Sequence, residues 1–159
     1  MATGLRYRLR RTARKIAAQH QHLHAILVDF DVALAEGSRD RVAEVYGRYR
    51  SALEAHFALE EEVLFPALHG LQPEHEPELD ALSRDHEAFL TELAGLGERL
   101  ADDRLDAFEG AFRDLVRELD LHERREEVIA QGLPEPPGED PAGPRGSRSA
   151  STSGFESSS

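Results

Sequence analysis

Between Leu5 and Gln131 apolar side chains return every three or four residues, with almost no β-branched alternation, a pattern that predicts helices and argues against strands. Breaks in it divide the stretch into four segments. The first should end near Glu36-Gly37, where Ser38 can cap the second, and the second should run to about His69-Gly70 with Pro66 in its last turns. Pro77 suits the first turn of the third, Asp102 or Asp103 can cap the fourth, and Gly132 with Pro134 stops it. The links are short, so sequence neighbours should pack antiparallel. The expected fold is all-α, a four-helix bundle over residues 1–132. From residue 133 the chain turns to Pro, Gly and Ser with few large apolar side chains, too little to offset its chain entropy. Residues 133–159 are expected to be a disordered tail, either a plain terminus or a segment that recognises a protein partner around Phe155.

The two halves repeat. A shift of 66 residues carries His20 to His86, His56 to His122 and Glu60 to Glu126. Apolar positions follow in the first and third segments: Ile16 with Leu82, Leu23 with Phe89, Leu27 with Leu93, Phe30 with Leu96, Leu34 with Leu100. In the second and fourth they are Val42 with Phe108, Tyr46 with Phe112, Tyr49 with Leu115, Leu53 with Leu119 and Val63 with Ile129. The chain reads as two helical hairpins on one pattern, each with a His on its first helix and a His-x-x-x-Glu pair on its second.

These polar residues are in phase with the apolar face. His20 lies four residues after Ile16 and three before Leu23, His86 stands likewise between Leu82 and Phe89, and His122 is three after Leu119. A single inward His is ordinarily a satisfied core residue. Four of them with two glutamates are costly to bury unless one thing satisfies all six, and a metal centre does so most simply. Residues four apart share a helix face at about 6 Å, so His56 with Glu60 and His122 with Glu126 each offer an imidazole and a carboxylate to one centre. Two carboxylates from symmetric hairpins can bridge two cations while imidazoles fill terminal positions. Nitrogen and oxygen donors without sulfur suit iron before manganese or zinc. Glu-x-x-His, which marks ferritin-like di-iron bundles, does not occur.

HFALEEEVLFPAL at 56–68, DHEAFLTEL at 85–93 and LHERREEV at 121–128 resemble the hemerythrin-like HHE cation-binding domain, over roughly residues 10 to 131. The resemblance implies an up-down-up-down bundle with a non-haem di-iron centre. Its ligands would be His20 on the first helix, His56 and Glu60 on the second, His86 on the third, and His122 and Glu126 on the fourth. Oxygen-carrying hemerythrins have a further His one turn after the third-helix ligand, where this chain has Leu90, and an Asp at a different spacing on the fourth helix, where it has Glu126. His24, one turn after His20, maps onto Leu90 under the repeat. It is either a fifth imidazole moved to the other metal or a polar residue beside the site.

The neighbours of these residues count against a wider ligand set. Glu61, Glu62, Glu87, Glu123 and Glu127 lie beside proposed ligands in sequence, and a helix turns about 100° per residue, so most of them should be solvated or stand behind the ligands, a ligand role being the lesser alternative for each. His22 faces away from His20, and His69 and His75 flank a loop and should be at the surface. Tyr46 and Tyr49 are in reach of the site, although a core role suffices for both.

Composition narrows the function classes. The 159 residues suit one domain, and no cysteine is present, which removes disulfides, thiolate metal sites and thiol catalysis. A net charge of −12 argues against nucleic-acid binding. The one basic block, Arg6, Arg8, Arg10, Arg11, Arg14 and Lys15, reads as a solvated helix end, with a docking patch for an acidic partner as the alternative. No membrane-spanning run or signal core is visible, so the expected location is cytoplasmic. Three functions fit: a di-iron protein that binds or senses O2, NO or iron, a di-iron enzyme that decomposes peroxide or related species, or a metal-free or zinc-stabilised helical adaptor.

Overall fold

The computed structural model describes residues 2–102 and 105–131. Helix α1 (Ala2–Ala35) is followed by α2 (Arg39–Leu59), a π turn (Glu60–Leu64) and α3 (Phe65–Leu71). A 3-10 turn (Pro73–His75) leads to α4 (Glu76–Ala101), and α5 (Leu105–Gln131) completes the order. Because α2, the π turn and α3 join through right-handed helical backbone, they make one rod. The described residues thus form the four rods of a bundle, with α1 packed along α2 and α4 along α5.

The turns obey local chemistry. Gly37 takes φ 65°, the left-handed conformation that ends helices, and Ser38 Oγ accepts the Arg41 N–H at 3.3 Å to open α2. Pro77 lies in the first turn of α4 as expected. Arg39 donates to the Leu100 and Ala101 carbonyls at 2.6 and 3.0 Å, satisfying the free end of α4. Asp102 closes α4 rather than opening α5. The alternative cap Asp103, the stop at Gly132 and Pro134, and the tail from residue 133 lie outside the described residues. No described helix is long and apolar enough to cross a membrane.

The apolar core is in two blocks. One gathers Leu23, Phe30, Tyr46, Tyr49, Leu53, Phe57, Phe89, Leu93, Phe112 and Leu119 with their neighbours, and the smaller one gathers Leu9, Ile16, Leu64, Phe65, Leu68, Leu79, Leu82 and Ile129. The inward histidines and glutamates fall between these blocks in three rods, His20 between Ile16 and Leu23, His86 between Leu82 and Phe89, His122 and Glu126 between Leu119 and Ile129, while on the second rod His56 adjoins the larger block and Glu60 lies between Phe57 and Leu64.

One pairing of the repeat does not hold. Val63 is 40 % exposed, whereas Ile129, its expected partner, is buried. The π turn is the reason: it adds one residue to the rod after Glu60, so Leu64, 5 % exposed, takes the inward place opposite Ile129. Leu64→Ala should therefore cost about 2–5 kcal/mol of stability, and Val63→Ala less than about 0.5 kcal/mol. Urea unfolding checks this, and the reverse ranking would restore the uninterrupted register.

Candidate metal centre

Six of the seven residues expected at the site meet between the two core blocks. His56, Glu60, His86, His122 and Glu126 are buried, and the His20 side chain is 17 % exposed. Their donor atoms form two groups, His20, His56, Glu60, Glu126 and Glu60, His86, His122, Glu126, each within 4.8 Å internally. Both carboxylates belong to both groups.

The separations suit donors around a shared ion. Two nitrogens held about 2.1 Å from one ion lie about 3.0 Å apart at right angles and about 4.2 Å apart when opposite. His20 Nε2 is 3.2 Å from His56 Nε2, and His86 Nε2 is 2.9 Å from His122 Nε2. Glu60 places one oxygen 3.0 Å from His56 Nε2 and the other 3.2 Å from His86 Nε2; Glu126 Oε1 is 2.9 Å from His122 Nε2 and 3.6 Å from His86 Nε2. Despite these approaches neither Glu60 oxygen nor Glu126 Oε1 has a hydrogen bond. Buried acceptors without donors are expensive, and cations between the carboxylates and imidazoles relieve them. The residues fit bound metal.

The chain matches the hemerythrin HHE cation binding domain over residues 11–133. It belongs to that family. Neither a curated protein nor a solved structure matches it.

Behind the clustered Nε2 atoms of this hemerythrin-type domain stands a row of acceptors. His56 Nδ1 meets Gln19 Oε1 at 3.2 Å, His122 Nδ1 meets Asp85 Oδ2 at 3.3 Å, and His86 Nδ1 meets Glu61 Oε1 at 2.6 Å. Such partners fix the ring and raise its basicity as a ligand. Asp85 also pairs with Arg125, and Ser83 Oγ donates to Glu61 at 3.0 Å. Sequence reasoning overlooked Gln19 and Asp85, yet the 66-residue shift carries one onto the other, and each serves the histidine of its own hairpin's second helix. Glu61 was expected to be solvated or behind the ligands, and it does the latter while 40 % exposed. Glu60 opens the π turn, with the Phe65 N–H bonded to the Glu60 carbonyl five residues back. Such widened turns gather at functional positions.

His24 does not join either group. Four residues carry it about 40° round the helix from His20. Its exposed side chain lines a cavity of about 510 Å³ with Leu23, Leu27, Tyr49 and Glu123. His22 is exposed, and His69 and His75 are half-buried outside the site. Tyr46 and Tyr49 are core residues packed on Phe112, and the Tyr46 hydroxyl donates to the Leu93 carbonyl.

Without metal the six groups divide protons unevenly. Burial pushes Glu60 up to about 8, and the Glu126 charge adds to the rise. Burial works against the charged form of His86, but the carboxylates of Glu126, Glu60 and Glu61 carry it up to about 9. Burial also disfavours ionised Glu126, yet His122 and His86 hold it down near 2, while burial with neighbouring His20 lowers His56 to about 4. Near neutral pH the metal-free site therefore keeps protons on Glu60 and His86. Metal must displace them, so uptake should release about two protons and strengthen as pH rises towards about 9, levelling off above. A pH indicator in weakly buffered solution reads this release, and none would mean that these groups are not displaced.

Proposed function

We propose that this chain is a non-haem di-iron protein whose centre is held by His20 and His56 on one side, His86 and His122 on the other, and Glu60 and Glu126 between them. The observation that supports it most is the sharing of both carboxylates by two donor groups, which suits two ions side by side better than one. Four imidazoles with two carboxylates and no sulfur favour iron among first-row metals. Bound there, a di-iron pair supplies redox chemistry and coordination positions for a small ligand such as O2, NO or peroxide. The chain's own part is to hold the ligand atoms rigid: Gln19, Asp85 and Glu61 lock three imidazoles, and the π turn sets Glu60 between the two groups.

Binding or sensing of the small ligand is the function this arrangement favours. Protein produced in iron-replete medium should contain about two irons per chain, with a visible charge-transfer band that changes on adding nitric oxide or azide. Less than about half an iron per chain would count heavily against the reading. Sustained turnover of hydrogen peroxide by the loaded chain would assign an enzyme instead.

A further inference from the structure

Under the repeat, the residue after each His of the second helices faces the first-helix His of the opposite hairpin. On one side this is Phe57, whose ring stacks on His86 with centroids 4.1 Å apart and an interplanar angle of 19°. On the other it is Glu123, whose Oε1 lies 3.7 Å from His20 Nε2, the nitrogen that faces the metal position. The positions around the two residues correspond, although most of the side chains differ. The cavity that contains Glu123 also contains His24, Val116 and Asp120, and a cavity of equal size across the molecule has Phe57, Leu90, Arg50 and Glu54 at the corresponding places.

Glu123 is poorly provided for. Its side chain is 14 % exposed, and among the described residues its one ion-pair partner is His20. Among the residues one helical turn from it are the acids Asp120, Glu126 and Glu127. The nearby Arg124 and Arg117 are taken by Asp120 and Asp114. A half-buried carboxylate placed this way lacks a cation, and although Glu123 stands outside both donor groups it reaches His20, a member of the first. The 3.7 Å separation from His20 Nε2 falls between the spans of about 3.0 and 4.2 Å for adjacent and opposite donors on one ion.

We propose that Glu123 is a further ligand, terminal on the ion held by His20 and His56, so that the two metal positions are unequal and only this one has a carboxylate of its own. The inference rests on the di-metal reading above. The ion at the His86 end has an aromatic ring in the same place and no such donor, and a small anion that binds the His20-side ion has to displace Glu123 or find it already withdrawn into the cavity.

The test is cobalt(II) titration of the metal-free full chain, followed by azide. Wild type should take two ions. Glu123→Gln, nearly the same shape, should weaken one of them by at least about tenfold, intensify the visible cobalt bands as coordination number falls, and tighten azide binding. Glu123→Phe, which copies Phe57, should give the same loss in a chain whose fold already accepts a ring there. Asp120→Asn, which removes a neighbouring charge without touching His20, should leave both ions as in wild type. A Glu123→Gln protein with wild-type cobalt and azide isotherms overturns the inference alone, as does an equal loss from Asp120→Asn, which would make the effect one of general charge. A wild-type chain that takes up no cobalt overturns the di-metal reading and this inference together.

Discussion

Glu60→Leu should remove both metal ions at once and yet leave the metal-free chain more stable than the metal-free parent. The first half follows from sharing: Glu60 stands in both donor groups, 3.0 Å from His56 on one side and 3.2 Å from His86 on the other. The second follows from burial. Glu60 is 0 % exposed, neither of its oxygens is hydrogen-bonded, and Leu64 of the smaller core block follows it one turn later in the chain. Exchanging an unsatisfied buried carboxyl for an apolar side chain of similar size should gain on the order of 1 kcal/mol. His86 loses one carboxylate and keeps Glu126 and Glu61. Metal analysis and calorimetry in chelator read the two halves separately. A Glu60→Leu chain that still carries one tightly bound ion would show that the carboxylate is not shared.

Stripping metal from the wild-type chain should lower its melting temperature substantially. An ion at a free concentration a hundred times its Kd stabilises the folded chain by about 2.7 kcal/mol. For a domain of this length that is about 5–10 °C for each ion. The donors come from α1, α2 with its π turn, α4 and α5, so the loss reaches every rod instead of one local loop. Calorimetry of loaded and chelated protein measures it. Identical melting curves would point to a bundle that works without metal.

The rods and most of the inward polar cluster were legible because helical phase is a strong signal: a His four residues after Ile16 and three before Leu23 has to face where they face. The repeat added what one helix cannot, since His20 and His86 each become more informative as counterparts. The π turn was not legible, because a single inserted residue leaves propensity and composition unchanged; its trace is that Leu64, rather than Val63, balances Ile129. His24 shows the limit of phase. It shares the His20 side of the helix, but 40° of rotation is the difference between a donor atom in the cluster and a side chain on a cavity wall, roughly the width that a one-turn spacing leaves open. Gln19 and Asp85 were within reach, because the shift that pairs His20 with His86 pairs the residues before them.

That last correspondence makes an unusual comparison possible. Gln19→Asp together with Asp85→Gln yields an isomer of this protein, with the same composition, mass and formal charge, in which only the handedness of the polarity around the centre has been exchanged. Any change in the order of metal uptake or in redox potential could then not be assigned to net charge, size or overall hydrophobicity. A chain that carries its own near-copy thus supplies for each paired position a replacement already accepted by an equivalent fold.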